Sequence, residues 1–280
     1  MTPLEEDSTC GDGVASASAA INTQIAKGAP VLLPDGRNWN ITTPLYIGAG
    51  QKLYAQTPGT ALYGPAAGTT IKISSGGVVQ NLRLTKNPSA AAPTYHIEHN
   101  VSNGELVAPI FENLQFEYGG FAIYTYAYGY KARDLVARNC RFLNVANPLF
   151  FESLSDGLIE SPYIEGASGS GILFKSGARS RIVNPHIKGG TTGITMLGGQ
   201  SVAGNGAWSF HVEGGVISDT DEEGVSFDCN GASPTDCTMR ERADVASKTS
   251  DSNFYYVTLN APAGSWLESG PLDVIIARVG

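Results

Sequence analysis

The chain has 280 residues, a formal charge of −8 and an isoelectric point near 5.0, a balance that argues against nucleic acid or an anionic membrane surface as its main partner. Only 16% of the residues are charged while 34 are glycine, roughly 12% against an average of ~7%, which excludes long Lys/Glu-rich surface helices and favours many tight turns. No apolar run approaches the ~20 residues of a membrane span, and no Pro/Gly/Ser-rich linker divides the chain, so one elongated domain is expected.

At the N-terminus, Met1-Thr2-Pro3-Leu4-Glu5-Glu6-Asp7 has neither the basic start nor the apolar core of a secretory signal, so the residues read as a cytoplasmic product or a trimmed mature chain. Residues 15–26 are alanine-rich with Ala17, Ile21 and Ile25 at helical spacing and Gly28 just beyond as a stop. Strand signals follow at Val31-Leu32-Leu33, Trp39-Asn40-Ile41, Leu45-Tyr46-Ile47 and Lys52-Leu53-Tyr54, separated by Pro34-Asp35-Gly36 and Gly48-Ala49-Gly50. A short amphipathic helix before stacked strands covers the open end of their core.

Six stretches then repeat one alternation: Asn81-Leu82-Arg83-Leu84-Thr85, Asn113-Leu114-Gln115-Phe116-Glu117, Asn139-Cys140-Arg141-Phe142-Leu143, Ser161-Pro162-Tyr163-Ile164-Glu165, Asn184-Pro185-His186-Ile187-Lys188 and Gly214-Gly215-Val216-Ile217-Ser218. Their starts lie 22 to 32 residues apart, inside the ~20–50-residue window of stacked repeats. The period of two predicts strands with one wet face. Stacking them puts Leu82, Leu114, Cys140, Pro162 and Pro185 in one interior column and Leu84, Phe116, Phe142, Ile164, Ile187 and Ile217 in the next. The exterior columns are Arg83, Gln115, Arg141, Tyr163, His186 and Thr85, Glu117, Leu143, Glu165, Lys188. A second strand series follows each of these, with Phe151, Phe174, Met196 and Phe227 taken as interior and Glu152, Lys175, Leu197 and Asp228 as exterior.

After Asp228 the alternation stops, and strands are expected again at residues 253–259 and 272–277. The expected organisation is an N-terminal cap with first strands over 1–60, parallel β-helix rungs over 61–230, and a C-terminal cap or interchain element over 231–280. Among four cysteines, Cys140 falls in the interior column as a small apolar residue. Cys229 and Cys237 are close enough in sequence to bridge in an oxidising environment, Cys10 is unplaced, and no C-x-x-C metal spacing occurs.

Gly11-Asp12-Gly13, the Ala19-Ala20-Ile21 helix, Leu33-Pro34-Asp35-Gly36 and the Trp39, Ile41, Leu45 and Ile47 strands together resemble the N-terminal part of the pectate-lyase-like superfamily. The resemblance is nearest in kind to bacteriophage tailspikes and capsule depolymerases. It covers residues 11–60 at motif level; Val14-Ala15-Ser16-Ala17 stand where the family commonly has Thr and Asp. It implies an all-β fold, a single-stranded right-handed parallel β-helix with a short capping helix. It further implies a homotrimeric virion tail component acting outside the cell on a bacterial surface polysaccharide, without a cofactor; a secreted bacterial enzyme is the alternative. The motif specifies fold strongly and reaction hardly at all.

The chemistry is read from the wall. Rungs are ~4.8 Å apart, so Glu117 and Glu165, with Leu143 between, have backbones roughly 9.6 Å apart. Carboxylates ~6.5–9.5 Å apart leave room for water opposite a glycosidic bond, the inverting hydrolase arrangement. Both can equally be solvated wall residues, and Glu112, Glu152, Glu160, Asp219 and Asp228 are alternates. Gln115, Arg141, Tyr163, His186 and Lys188 are the expected substrate-binding residues. Four of these compose a rival lyase set, in which Arg141 or Lys188 neutralises a uronate carboxyl, His186 or Lys188 takes a proton, and Tyr163 donates one. Asn184-Pro185-His186 faintly resembles the Asp-Pro-His of alginate-modifying β-helix enzymes, with Asn184 where Asp is expected.

The recurring Asn81, Asn113, Asn139 and Asn184 are read as an amide stack serving turn backbone rather than as sugar contacts. The Asp219-Thr220-Asp221-Glu222-Glu223-Gly224 run carries oxygen ligands but no EF-hand pattern, so an ordinary acidic loop is preferred to a calcium site. Tyrosines between Tyr118 and Tyr130 suit either a sugar platform or packing against a neighbouring chain.

Overall fold

The computed structural model describes residues 12–100, 104–125, 132–197, 208–222, 224–228, 237–247, 257–260, 266–269 and 275–278. Its single α-helix among these residues, Ser18–Ala26, begins later than residues 15–26 suggested, because Asp12–Ser16 is drawn into a strand parallel to Asn38–Asn40. The helix buries Ile21 and Ile25 against the strands Val31–Leu33 and Leu45–Ile47. Polar side chains lash it down: Ser18 Oγ accepts from the Thr42 and Thr43 amides at 3.0 and 3.1 Å, and Asn22 bonds both Pro44 O and the Tyr46 amide. The end of the core is thereby covered, as the amphipathic spacing requires.

From there the chain winds as a parallel β-helix. One face stacks Asn38–Asn40, Ala61–Gly64, Arg83–Lys86, Gln115–Thr125, Arg141–Phe151, Tyr163–Glu165, His186–Lys188 and Trp208–Thr220, each parallel to the last. A second stacks Leu45–Ile47, Thr69–Ile73, Tyr95–His99, the far halves of Gln115–Thr125 and Arg141–Phe151, then Ile172–Phe174, Ile194–Leu197 and Val225–Asp228. These are the two strand series expected from the alternation. A third face was not anticipated as a face, although its first two strands were read from the sequence: Val31–Leu33, Lys52–Ala55, Val78–Gln80, Ile110–Glu112, Val136–Arg138, Leu158–Glu160, Ser180–Val183 and Trp208–Thr220.

Parallel stacking also runs past Asp228, where the alternation in the sequence ends. Cys237–Ser247 lies beside Trp208–Thr220 and Val257–Asn260 beside Val225–Asp228, while Ile275–Arg278 turns antiparallel to Trp266–Ser269.

The register pairs Leu84, Phe116, Phe142, Ile164, Ile187 and Ile217 in one buried column, each at 0% exposure. Leu82, Leu114, Cys140, Pro162 and Pro185 are buried beside it, and Phe151, Phe174 and Met196 form the interior of the second face. Identical rings fit this geometry because neighbouring rungs sit one ring-stacking distance apart: Phe116 and Phe142 lie parallel within 2°, centroids 5.0 Å apart. Cys140 is a free buried thiol, and burial pushes it up to about 12, which removes thiolate reactivity. Thr85 departs from the expected exterior column, being 5% exposed. Cys10, Cys229, Glu223, Tyr126, Tyr128 and Tyr130 lie outside the described residues, and with them the bridge to Cys237.

Five successive turns between the third and first faces are each made by one non-glycine residue in the left-handed region: Asn81, Asn113, Asn139, Ser161 and Asn184, with φ between 49° and 55°. Asparagine tolerates that conformation better than other side chains, and its amide also bonds along the stack, from Asn81 to Ala55 O and from Asn113 to Asn81 Oδ1. Backbone shape is therefore the reason for the recurrence. Asn113→Gly is expected to leave unfolding free energy nearly unchanged and Asn113→Val to lower it by about 1–2 kcal/mol. Equal losses in denaturant titrations would instead show that the amide bond holds the corner.

Candidate active site on the exterior wall

On an exposed β surface, residues i and i+2 project to the same side, and this organises the wall. Gln115 and Glu117 share one strand, Tyr163 and Glu165 another, and the register sets Gln115, Arg141, Tyr163 and His186 in one row and Glu117, Leu143, Glu165 and Lys188 in the next. All seven predicted site residues thus fall on one face, within four successive rungs. Glu117 accepts a hydrogen bond from Gln115 Nε2, and Glu165 accepts one from the Tyr163 hydroxyl at 2.8 Å. Neither carboxylate is in an ion pair among the described residues.

The alternates are engaged differently. Glu160 is ion-paired to Arg138 at 2.9 Å and Glu152 to Lys175 at 2.9 Å, while Glu112 accepts from Gln80 on the third face. No group of three His, Cys, Asp or Glu side chains that could hold a metal forms among the described residues.

Tyr163 sits at the centre of a stack. The Arg141 guanidinium lies 5.0 Å from its ring centroid, and the His186 ring lies parallel to it within 5°, centroids 4.8 Å apart. Both faces of the phenol are therefore taken by neighbours along the helix axis. The wall thus presents outward the edges of this stack, not a bare aromatic face. The Tyr163 hydroxyl is pushed above its ordinary range, chiefly by its hydrogen bond to the Glu165 carboxylate, because ionising it would set two negative charges side by side.

An open groove of about 540 Å³ borders the wall, lined by Gln56, Thr57, Pro58, Leu114 and the Asn81, Asn113 and Asn139 corner, and it reaches Gln115 and Arg141. Tyr163, Glu165, His186 and Lys188 continue beyond it along the same face. Sequence reasoning missed this groove, because its far lip is a turn from an earlier rung; the Gln56-Thr57-Pro58 turn signal was the available hint.

Behind the wall, His96 supports the corner that follows Glu117. Its Nε2 donates to Tyr118 O at 2.7 Å, and a side chain on Gly119 would meet the imidazole at 2.8 Å. His96 is fully buried, and that burial pushes it down to about 4, partly offset by the Tyr118 and Glu117 carbonyls. The native state therefore binds no proton here between about pH 6.5 and 4 whereas the unfolded chain does, so stability is full above pH 6.5 and falls as the pH drops through 4. The loss from this group is expected to approach roughly 3 kcal/mol. A resonance assigned to His96 that titrates near 6.5 in NMR spectra of the folded protein would contradict it.

Over the second face lies an aromatic cluster: Tyr95 stacks on Phe121 at 5.2 Å, and Tyr124 touches both Tyr95 and Phe150. Lys175 caps Phe150 at 5.1 Å while pairing with Glu152.

No protein-family model matches the chain, and the curated proteins contain no match. Among solved structures the chain is similar to the Dettilon tailspike protein gp208, at 14% identity and a TM-score of 0.49 over 93% of this chain and 59% of that one. It is similar also to the tailspike protein of Acinetobacter baumannii phage AM24, at 10% identity and a TM-score of 0.42 over 91% and 53%. A third likeness is to the A-module of the Azotobacter vinelandii mannuronan C-5 epimerase AlgE6, at 14% identity and a TM-score of 0.42 over 96% and 98%. The chain thus spans somewhat more than half the length of the two tailspikes.

Proposed function

We propose that this chain binds and cleaves a bacterial surface polysaccharide by hydrolysis, with Glu117 and Glu165 as the catalytic pair. The observation that carries the reading is their placement two rungs apart on one open wall, each held by a neutral donor rather than neutralised by a cation. Their backbones are roughly 9.6 Å apart, so a slight lean of the side chains toward one another sets the carboxyl groups within the ~6.5–9.5 Å of inverting enzymes. One carboxyl gives its proton to the departing glycosidic oxygen. The other takes a proton from the water whose oxygen bonds to the anomeric carbon as the glycosidic bond breaks. Gln115, Arg141, Tyr163, His186 and Lys188 contact the glycan along the row, and the resemblance in residues 11–60 favours a homotrimeric tailspike-like protein working outside the cell.

The exposed Arg141, His186 and Lys188 favour elimination as the second reading. Against it, the lyase role asks Tyr163 to release a proton that its hydroxyl already donates in a hydrogen bond to Glu165 and that the adjacent charge makes harder to lose. Incubation with capsular polysaccharide or lipopolysaccharide separates the readings. New reducing ends without ultraviolet absorbance support hydrolysis, and an unsaturated, absorbing product supports the lyase. A glycan bound but left intact would replace both with a binding module.

A further inference from the structure

Most arginines on the described wall faces are already satisfied by acids. Arg133 pairs with Asp134 at 3.2 Å, Arg138 with Glu160 at 2.9 Å, Arg179 with Asp156 at 2.7 Å and Arg181 with Glu213 at 3.0 Å. Arg83 and Arg141 have no ion pair among the described residues, although they occupy the same exterior row, two rungs apart, with Gln115 between them. Glu117 and Glu165 neutralise neither, because Gln115 and Tyr163 engage them. Arg83 Nε is shielded from solvent and has no acceptor, an arrangement native proteins rarely leave standing without a purpose. Arg141 lies over the Tyr163 ring and interacts with its hydroxyl, which fixes the plane of its guanidinium while leaving the rest of its N–H donors to bond outward.

From this we propose that the wall selects an anionic polysaccharide, with Arg83 and Arg141 as a two-point clamp for carboxylate or sulfate groups carried on one edge of an extended glycan. This rests on the polysaccharide reading and adds a residue, Arg83, and a substrate class to it. Guanidinium groups two rungs apart are roughly 9.6 Å from each other at the backbone. That spacing suits acidic groups recurring along the chain rather than a single charged terminus. In a chain with a net charge of −8, which repels polyanions at long range, such a clamp makes recognition local and short-ranged.

The test is equilibrium binding of the full chain to polygalacturonate, hyaluronan and dextran sulfate, set against carboxyl-reduced polygalacturonate and unsulfated dextran. An acidic polymer is expected to bind, and its neutral counterpart to bind at least about 10-fold more weakly, as suits loss of charge-assisted hydrogen bonds. The uronate and sulfate arms tell the two anion sources apart. Arg83→Gln and Arg141→Gln are each expected to weaken the acidic polymer about 10-fold or more without changing the thermal midpoint, while Arg83→Lys keeps part of the affinity. Equal binding of the acidic and neutral members of a pair, or unchanged affinity in both Gln variants, overturns the anionic assignment and leaves the polysaccharide reading standing. Binding to none of these polymers and to no capsular or lipopolysaccharide overturns both.

Discussion

Glu117→Gln and Glu165→Gln should each lower the turnover of glycan cleavage by about 10²–10⁴-fold while leaving glycan affinity within a few-fold of the parent, the range expected when a positioned acid or base is removed. Glutamine suits the test because its carbonyl oxygen can still accept the hydrogen bonds from Gln115 Nε2 and the Tyr163 hydroxyl that hold the native carboxylates. The wall therefore keeps its shape while losing proton transfer. An effect on turnover with little effect on binding is the signature of an interaction made only in the transition state. Two variants that both cleave at the parent rate would remove the assignment. A loss in Glu117→Gln alone would point to one acid on this wall working with a carboxylate elsewhere. His186→Gln divides the mechanisms further, since hydrolysis by the carboxylate pair tolerates it and elimination with His186 as base does not.

How much of this was legible in the residues follows from how many inward positions each strand contributes. The first face was readable because each stretch carries two, such as Leu114 with Phe116 or Cys140 with Phe142, enough to reveal a period of two. On the middle strands of the third face one main apolar residue turns inward, Val79, Phe111, Ala137, Ile159 or Ile182, flanked by residues of either kind. A single apolar residue carries no period. Thr85 was placed outside by the same alternation, but just past Leu84 it is covered. The rows of the wall could be written down before any coordinates, because register is enforced by the buried column beneath them. Hydrogen bonding between the rows and stacking along them could not, since they depend on rotamers: the Arg141, Tyr163 and His186 stack and the groove beside Gln56-Thr57-Pro58 arise from side chains and turns meeting across rungs. The recurring asparagines sat between these cases, their residue type and turn role legible and the left-handed corner that each one makes visible only in the backbone.

The largest stability effect is expected at Phe142. Its ring is fully buried, lies flat against Phe116 with centroids 5.0 Å apart, and is in register with Ile164 on the other side. Phe142→Ala removes a whole layer from a one-dimensional core in which each rung contacts mainly its neighbours, so no distant side chain can swing in to fill the space. The expected cost is about 3–5 kcal/mol, measured as a fall in the denaturation midpoint at constant slope. Leu143→Ala, one residue along and on the outer face, should cost less than about 1 kcal/mol. The pair tests the register itself, because a slip of one residue would exchange their roles. The same rung separates Glu117 from Glu165, so a collapse around the missing ring would bring the carboxylates off their spacing and lower turnover in the fraction that remains folded. If Leu143→Ala proved the more damaging of the two, Phe142 would face outward, and the wall bearing Glu117 and Glu165 would become the interior of the coil, where neither acid could meet a glycan.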